Sequence, residues 1–192
     1  KTTVIGVKTC TIQQMISQYP HSQTSVEVNM ERFCHKLISP YSIFFTHYSY
    51  WFCLPVIQRI DLSLCKPQAL ILSPTRELCL QIASDLTDYS QYVSGLRILP
   101  VYGGSSIESQ IKTLKKGVHI IVATPGRLVD LIERRTVQLD HVSTVIMDEA
   151  DEMLNMGFYK DVRGIIDLLK SRESLSMFSA TISREVLDIG WL

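Results

Sequence analysis

The stretch Ser143-Thr144-Val145-Ile146-Met147-Asp148-Glu149-Ala150-Asp151-Glu152-Met153 decides how this chain is read. Its first half is a short apolar run, partly β-branched, of the kind that forms a buried strand. The run ends abruptly in the carboxylates Asp148, Glu149 and Asp151. In open α/β sheets, ligands bind beyond the carboxyl ends of parallel strands. Acids placed there are able to hold a hard cation and orient a water, which is what phosphoryl transfer asks of a protein. The plainer alternative is a strand followed by an acid-rich helix start, stabilised by the helix dipole. The neighbouring stretches discriminate between the two.

Working outward from 143–153, the same unit recurs. Ala69–Ser73 is a buried-strand run, and Pro74-Thr75-Arg76-Glu77 then opens a helix with Leu78, Ile82, Leu86 and Tyr89 along one stripe. Leu96–Tyr102 reads as a strand, Gly103-Gly104-Ser105-Ser106 as a turn with a serine N-cap, and Ile107–Lys116 as a helix stopped by Gly117. His119–Ala123 is a strand, Thr124-Pro125-Gly126-Arg127 a turn, and 127–134 a helix. After the acids come a helix over 158–170, a strand over Leu175–Phe178, the turn Ser179-Ala180-Thr181 and a helix over 183–189. Near-continuous apolar strands alternating with helices specify an α/β fold, a parallel sheet with helices on both faces. Upstream, Phe52–Ile60 predicts a helix that tolerates Pro55 only in its first turn.

In this arrangement every strand-to-helix turn falls at the same end of the sheet. The turns at 74–78, 103–106, 124–128 and 179–181 join the acids of 148–151 in one rim. Helix N-termini and glycine backbones offer free N–H groups to phosphates, and Arg76 and Arg127 add positive charge. Singly each turn has an ordinary composition; five in order do not.

That ordered set resembles the first RecA-like domain of the DEAD-box ATP-dependent RNA helicases. The resemblance runs from about Phe52 to Leu192 and is carried by ALILSPTREL, VYGG, HIIVATPGRL, VIMDEADEMLNMGF and MFSAT. It implies a RecA-like, P-loop NTPase type of fold, with ATP and Mg²⁺ as cofactors. By the same resemblance, Asp148 would position the Mg²⁺ and Glu149 the attacking water. Asp151, Ser179 and Thr181 would couple the nucleotide state to RNA. Thr75, Arg76, Gly103, Gly104, Thr124, Gly126 and Arg127 would hold the sugar-phosphate backbone. Backbone contacts carry no base information, so the implied partner is RNA, single-stranded or duplex, without a fixed sequence, and the implied activity is local unwinding.

Two parts of the family pattern do not match. The phosphate-cradling loop should approach G-x-x-x-x-G-K-[ST], immediately before the helix at Phe52. Counted back without gaps, its Gly-Lys-Thr falls on His47, Tyr48 and Ser49, of which only Ser49 offers a suitable hydroxyl. No Gly-Lys dipeptide occurs anywhere, and Gly6-Val7-Lys8-Thr9 lies some forty residues upstream of that helix. Thr11-Ile12-Gln13-Gln14 only faintly echoes the family's adenine-reading segment. The chain also ends where the linker to a second RecA-like domain is expected, the domain whose arginines, by the resemblance, reach the γ-phosphate; such arginines contribute about 10³–10⁵ in rate. The expectation is therefore a helicase fragment that hydrolyses ATP poorly by itself, or alternatively a non-hydrolysing RNA-binding remnant of the same fold.

Composition sets the remaining bounds. Lys+Arg and Asp+Glu are both 19, so bulk charge gives no steering field for nucleic acid. Five cysteines at 10, 34, 53, 65 and 79, with no C-x-x-C, argue against a disulfide framework or zinc site and fit a reducing compartment, with cytoplasm as the default. Only six charged residues (Lys1, Lys8, Glu27, Glu31, Arg32, Lys36) fall in 1–57, and between Gly6 and Gly95 there is no glycine. Residues 1–50 thus read as an atypical segment, unrelated to the family or mistranslated and weakly ordered, with short helices at 11–19 and 30–39, and 51–192 as a partial RecA-like domain. The apolar run 42–57 contains a His, a Thr and two Ser, and reads as core rather than as a membrane span.

Overall fold

The computed structural model describes residues 2–6, by their backbone alone, and 49–191. The expected helices at 11–19 and 30–39, and the candidate positions His47 and Tyr48, lie outside the described residues. Six parallel strands form one sheet in the order β1-β6-β5-β2-β4-β3. They are β1 (Thr2–Gly6), β2 (Ala69–Leu72), β3 (Ile98–Val101), β4 (Ile120–Ala123), β5 (Thr144–Met147) and β6 (Ser174–Ser179). The helices are α1 (Tyr50–Arg59), α2 (Arg76–Tyr89), α3 (Ile107–Lys115), α4 (Pro125–Glu133), α5 (Ala150–Met153), α6 (Tyr159–Leu168) and α7 (Arg184–Gly190), with a π-turn over Leu154–Phe158 between α5 and α6.

Because successive side chains of a strand point to opposite faces, each buried strand feeds two cores. Leu70, Leu72, Ile121, Ala123, Val145, Met147, Leu175 and Met177 face one way, against Leu128 and Leu131 of α4, Val162, Ile165 and Ile166 of α6, and Val186 and Ile189 of α7. Ala69, Ile71, Ile120, Val122, Ile146 and Phe178 face the other, against Phe52, Cys53, Val56 and Ile57 of α1 and Cys79, Ile82, Ala83 and Leu86 of α2. This double burial explains the unbroken apolar runs of β2, β4 and β5, and it gives the α/β parallel sheet with helices on both faces expected from the sequence. β3 lies at the edge, where Pro100 costs the ladder little.

Three local features depart from expectation. A strand is present inside the atypical N-terminal segment: β1 pairs with β6 from Thr2↔Leu175 to Gly6↔Ser179. Pro55 sits in the middle of α1 rather than in its first turn. The ring removes one helical N–H, and the burial of Phe52, Cys53, Leu54, Val56 and Ile57 holds the helix in spite of it. The helical region after β5 starts at Ala150, well before residue 158, and is broken at Gly157, whose φ is 91°. Cys53, Cys65 and Cys79 are free thiols; burial pushes the Cys79 thiol up to about 12, so it is not a ready nucleophile. No described helix is long and apolar enough to cross a membrane.

Gly117 ends α3 at φ 85°, and a Cβ there would meet Cys65 Cβ and its carbonyl oxygen at 3.0 Å. Gly95 has φ 90° but open space around it. Gly95→Ala should cost about 1 kcal/mol for the left-handed backbone alone, and Gly117→Ala about 1–3 kcal/mol more from the added clash. Urea denaturation of the two variants checks this, and equal losses would contradict the close approach.

Candidate nucleotide and nucleic-acid site at the carboxyl end of the sheet

Since all six strands run the same way, strand order dictates the order of groups along the rim. Gly6 ends β1 opposite Ser179 of β6. Asp148 follows β5, Ser73 follows β2, Thr124 follows β4 and Tyr102 follows β3. The ladder extends into the turns, with Asp148 N–H donating to the Leu72 carbonyl and Ser73 N–H to that of Ala123. The rim is therefore divided: carboxylates and hydroxyls lie over β6 and β5, while Arg76, Arg127 and the glycine turn lie over β2, β4 and β3.

On the acidic side, Asp148 is 1% exposed, and its Oδ1 accepts the N–H of Glu149 at 3.0 Å. Glu149 caps α5 from the left-handed region, with φ 49° and ψ 51°. That conformation is costly for a residue with a Cβ and recurs where function demands a fixed direction. Burial raises the Glu149 carboxyl above the usual carboxylate range, aided by the charges of Glu152 and Asp151. Asp151 behaves oppositely. Burial by itself would raise its carboxyl, but hydrogen bonds from Thr181, Ser179 and backbone N–H groups outweigh that and hold it below the usual range. Thr181 donates to Asp151 Oδ2 through its hydroxyl at 2.7 Å and its N–H at 2.8 Å. Ser179 Oγ accepts the Asp151 N–H at 3.2 Å and donates to the Thr181 carbonyl at 2.6 Å. The turn after β6 is thereby clamped to the start of α5. Tyr159 and Arg163 of α6 both reach Asp188, which ties α7 to the same block.

On the basic side, Thr75 caps α2 by accepting the Leu78 N–H at 3.3 Å. Arg76 projects from the first turn and lies over the Tyr102 ring at 5.0 Å. Gly104 has φ 81°, a backbone conformation that strains any other residue, and a Cβ there would stand 3.2 Å from the tip of the Arg76 side chain at Nη1. Thr124 caps α4 without a side-chain bond, and Pro125 occupies the first helical position. A Cβ added at Gly126 would meet the Phe158 ring of the π-turn at 3.8 Å, an ordinary contact distance. Arg127 Nη1 donates to the Ser105 carbonyl at 3.1 Å and to Gln110 Oε1 at 3.3 Å. The sequence groups these turns in one rim; the fold further joins Arg76, Arg127 and the Gly103-Gly104 turn, through Tyr102, Ser105 and Gln110, into one network. Those three joining residues went unrecognised, because an isolated Gln in an exposed-looking helix carries no sequence signal.

Ser49 is 4% exposed and donates its hydroxyl to Asp85 Oδ2 of α2 at 2.6 Å. The structure thus engages it in the α1–α2 contact. Among the described residues no cluster of three or more His, Cys, Asp or Glu is arranged to hold a metal by itself. Mg²⁺ in phosphoryl-transfer sites needs only one or two carboxylates, because phosphates complete its shell, and the buried Asp148 fits that limited demand.

The clamp on Asp151 makes a direct prediction. A carboxylate held below its ordinary pKa stabilises the fold fully above that ordinary value, and the contribution disappears as pH falls through the lowered one. Thr181→Val should cost about 1–3 kcal/mol at neutral pH. The gap to the parent chain should close as pH drops below about 4. Chemical denaturation of both proteins across that range is the measurement, and a gap that persists in acid would refute the clamp.

Residues 49–189 match the DEAD/DEAH box helicase family model. An ATP-dependent RNA helicase, CshA, of Listeria monocytogenes is 48% identical over 139 residues, covering 72% of this chain and 26% of that protein. The crystal structure of a DEAD box protein from the hyperthermophile Methanococcus jannaschii superposes with a TM-score of 0.67 at 41% identity, covering 74% of this chain and 39% of that one. A yeast DEAD-box splicing factor gives 0.70 at 30% identity, covering 77% and 37%. The chain thus spans about a quarter of the curated relative's length.

Proposed function

Given that the chain belongs to the DEAD/DEAH box helicase family, we propose that it is part of an ATP-dependent RNA helicase whose RNA-backbone rim is built, but which hydrolyses ATP poorly as an isolated chain. The observation that carries this reading is the division of the rim. Arg76, Arg127 and the glycine turn are held in one framework of hydrogen bonds and ring contact over β2, β4 and β3. The carboxylates are ordered over β5 and β6. What is wanting in the sequence is a Gly-Lys pair to bring phosphates to them.

On the RNA side, Arg76 and Arg127 supply charge, while Thr75, Thr124, Gly103, Gly104 and Gly126 supply hydroxyls and close backbone at helix starts. Such contacts hold phosphate and sugar and are indifferent to base identity. Gripping one strand of a duplex in a bent path would part it locally from its partner. On the nucleotide side, Asp148 would hold Mg²⁺, and Glu149, with its raised carboxyl, would orient a water. Mg²⁺ bound with ATP supplies neutralisation of charge on the phosphate oxygens. Asp151, Ser179 and Thr181 join the start of α5 to the turn after β6, the connection through which nucleotide state would be felt at the RNA rim.

The position of Gly6 supports the nucleotide side in part. Sequence distance argued against Gly6-Val7-Lys8-Thr9, yet Gly6 ends β1 beside Ser179, one strand from Asp148. Residues 7–9 lie outside the described residues, and the stretch still lacks the second glycine of a phosphate-cradling loop. A non-hydrolysing RNA-binding remnant of the fold is the second reading, favoured by that same missing Gly-Lys pair.

Replacing both arginines (Arg76→Ala with Arg127→Ala) should weaken single-stranded RNA binding at low salt by about tenfold or more. The dependence of log K on log salt should flatten by about two. Unchanged binding would dismiss the RNA rim. Titration with Mg²⁺–ATP should show weak binding, and Glu149→Gln should leave the chain's low ATP turnover near its starting value. Tight binding, or a large drop in a measurable rate, would instead show a working ATPase.

A further inference from the structure

Gln110 is a buried polar side chain that the catalytic and RNA-binding assignments leave unused. It lies in α3 and is 6% exposed. Its amide nitrogen donates to the Tyr102 carbonyl at 3.1 Å and to Ser105 Oγ at 2.7 Å. Its amide oxygen accepts from Arg127 Nη1 at 3.3 Å. The amide can point only one way, because a guanidinium has donors alone and must meet the oxygen. One side chain therefore closes both ends of the Tyr102–Ser105 turn and reaches the arginine of the neighbouring β4–α4 turn. The same turn meets Arg76 through the Tyr102 ring.

We infer that Gln110 is a positioning residue for RNA: a buried neutral amide that orders the Gly103-Gly104 turn and pre-orients Arg127 toward a phosphate of the sugar-phosphate backbone. The inference rests on the RNA-binding reading of the rim. Neutrality is the central property. A carboxylate in this place would hold the guanidinium at least as firmly but would cancel its charge, and attraction for phosphate would fall with it. An amide orients the arginine and leaves the positive charge to the ligand. Arginine carries much rotamer freedom, and a side chain already held in its binding orientation loses less of it on association. Ser105 contributes at two points, its carbonyl to Arg127 and its hydroxyl to Gln110, so the turn and the arginine move together.

The test compares Gln110→Met, which keeps length and apolar volume without the hydrogen bonds, with Arg127→Ala and the double variant. Each is titrated with a short labelled oligouridylate over a range of salt, and thermal unfolding is followed in parallel. Gln110→Met should weaken binding by about three- to tenfold and flatten the salt dependence by about one phosphate contact. It should add little in the Arg127→Ala background, because both act through the same guanidinium. Should Gln110→Met fail to fold, Gln110→Glu takes its place, with the same flattening expected from charge cancellation. Binding and salt dependence equal to the parent chain, or effects of the two substitutions that simply add, would overturn the inference while leaving the rim intact. If Arg127→Ala itself binds like the parent, the RNA rim is wrong, and the role of Gln110 falls with it.

Discussion

Everything functional in this chain depends on the burial of four strand residues, Thr144–Met147, between β2 and β6 and between two layers of helices. A parallel strand enclosed in that way has no freedom of register, since a one-residue slip would exchange its two faces. Val145 and Met147 belong to one core and Ile146 to the other. With register and direction settled, the chain leaving β5 emerges at the same edge as every other strand-to-helix turn. Asp148 then necessarily lies beside Ser73 on one side and near the turn after β6 on the other. The site is a consequence of the sheet.

Strand order converts that edge into two chemical halves. The acids and the Ser179–Thr181 turn share one half because β5 and β6 are neighbours; the arginines share the other because β2, β4 and β3 are. Each half is internally braced. Asp151 is held by Thr181 and Ser179, while Arg76 and Arg127 are held through the turn that Gln110 closes. The two halves come near one another at Gly126, where a side chain would meet Phe158 of the π-turn. Irregular helix of this kind commonly marks functional positions.

The family match covers residues 49–189, and β1 lies outside it. Yet β1 occupies the sheet position beside β6 and ends in Gly6, at the same edge as Ser179 and Asp148. Between that glycine and α1 the sequence runs from residue 7 to residue 49, whereas connections in α/β units usually take a few residues. The separation explains why counting back from α1 led to Ser49, a residue whose hydroxyl is engaged by Asp85.

The amino-acid sequence by itself determined the α/β class, the alternation of strand and helix, and the carboxyl-end placement of Asp148, Arg76, Gly103, Thr124 and Ser179. These follow from local pattern: apolar runs too short for helices, turn residues after each, and stripes at helical spacing. Helix ends were legible to within a few residues, except after β5, where the helical region starts at Ala150 rather than at 158; at Pro55 tertiary burial overrode a local rule without moving the ends. Only the tertiary structure decided which turns are neighbours, because strand order is a property of packing and not of any segment. It brought Thr181 onto Asp151, set β1 against β6, and buried Gln110 between Tyr102, Ser105 and Arg127. A lone glutamine, threonine or strand of five residues has no periodicity to read; its meaning is created by what the fold places against it.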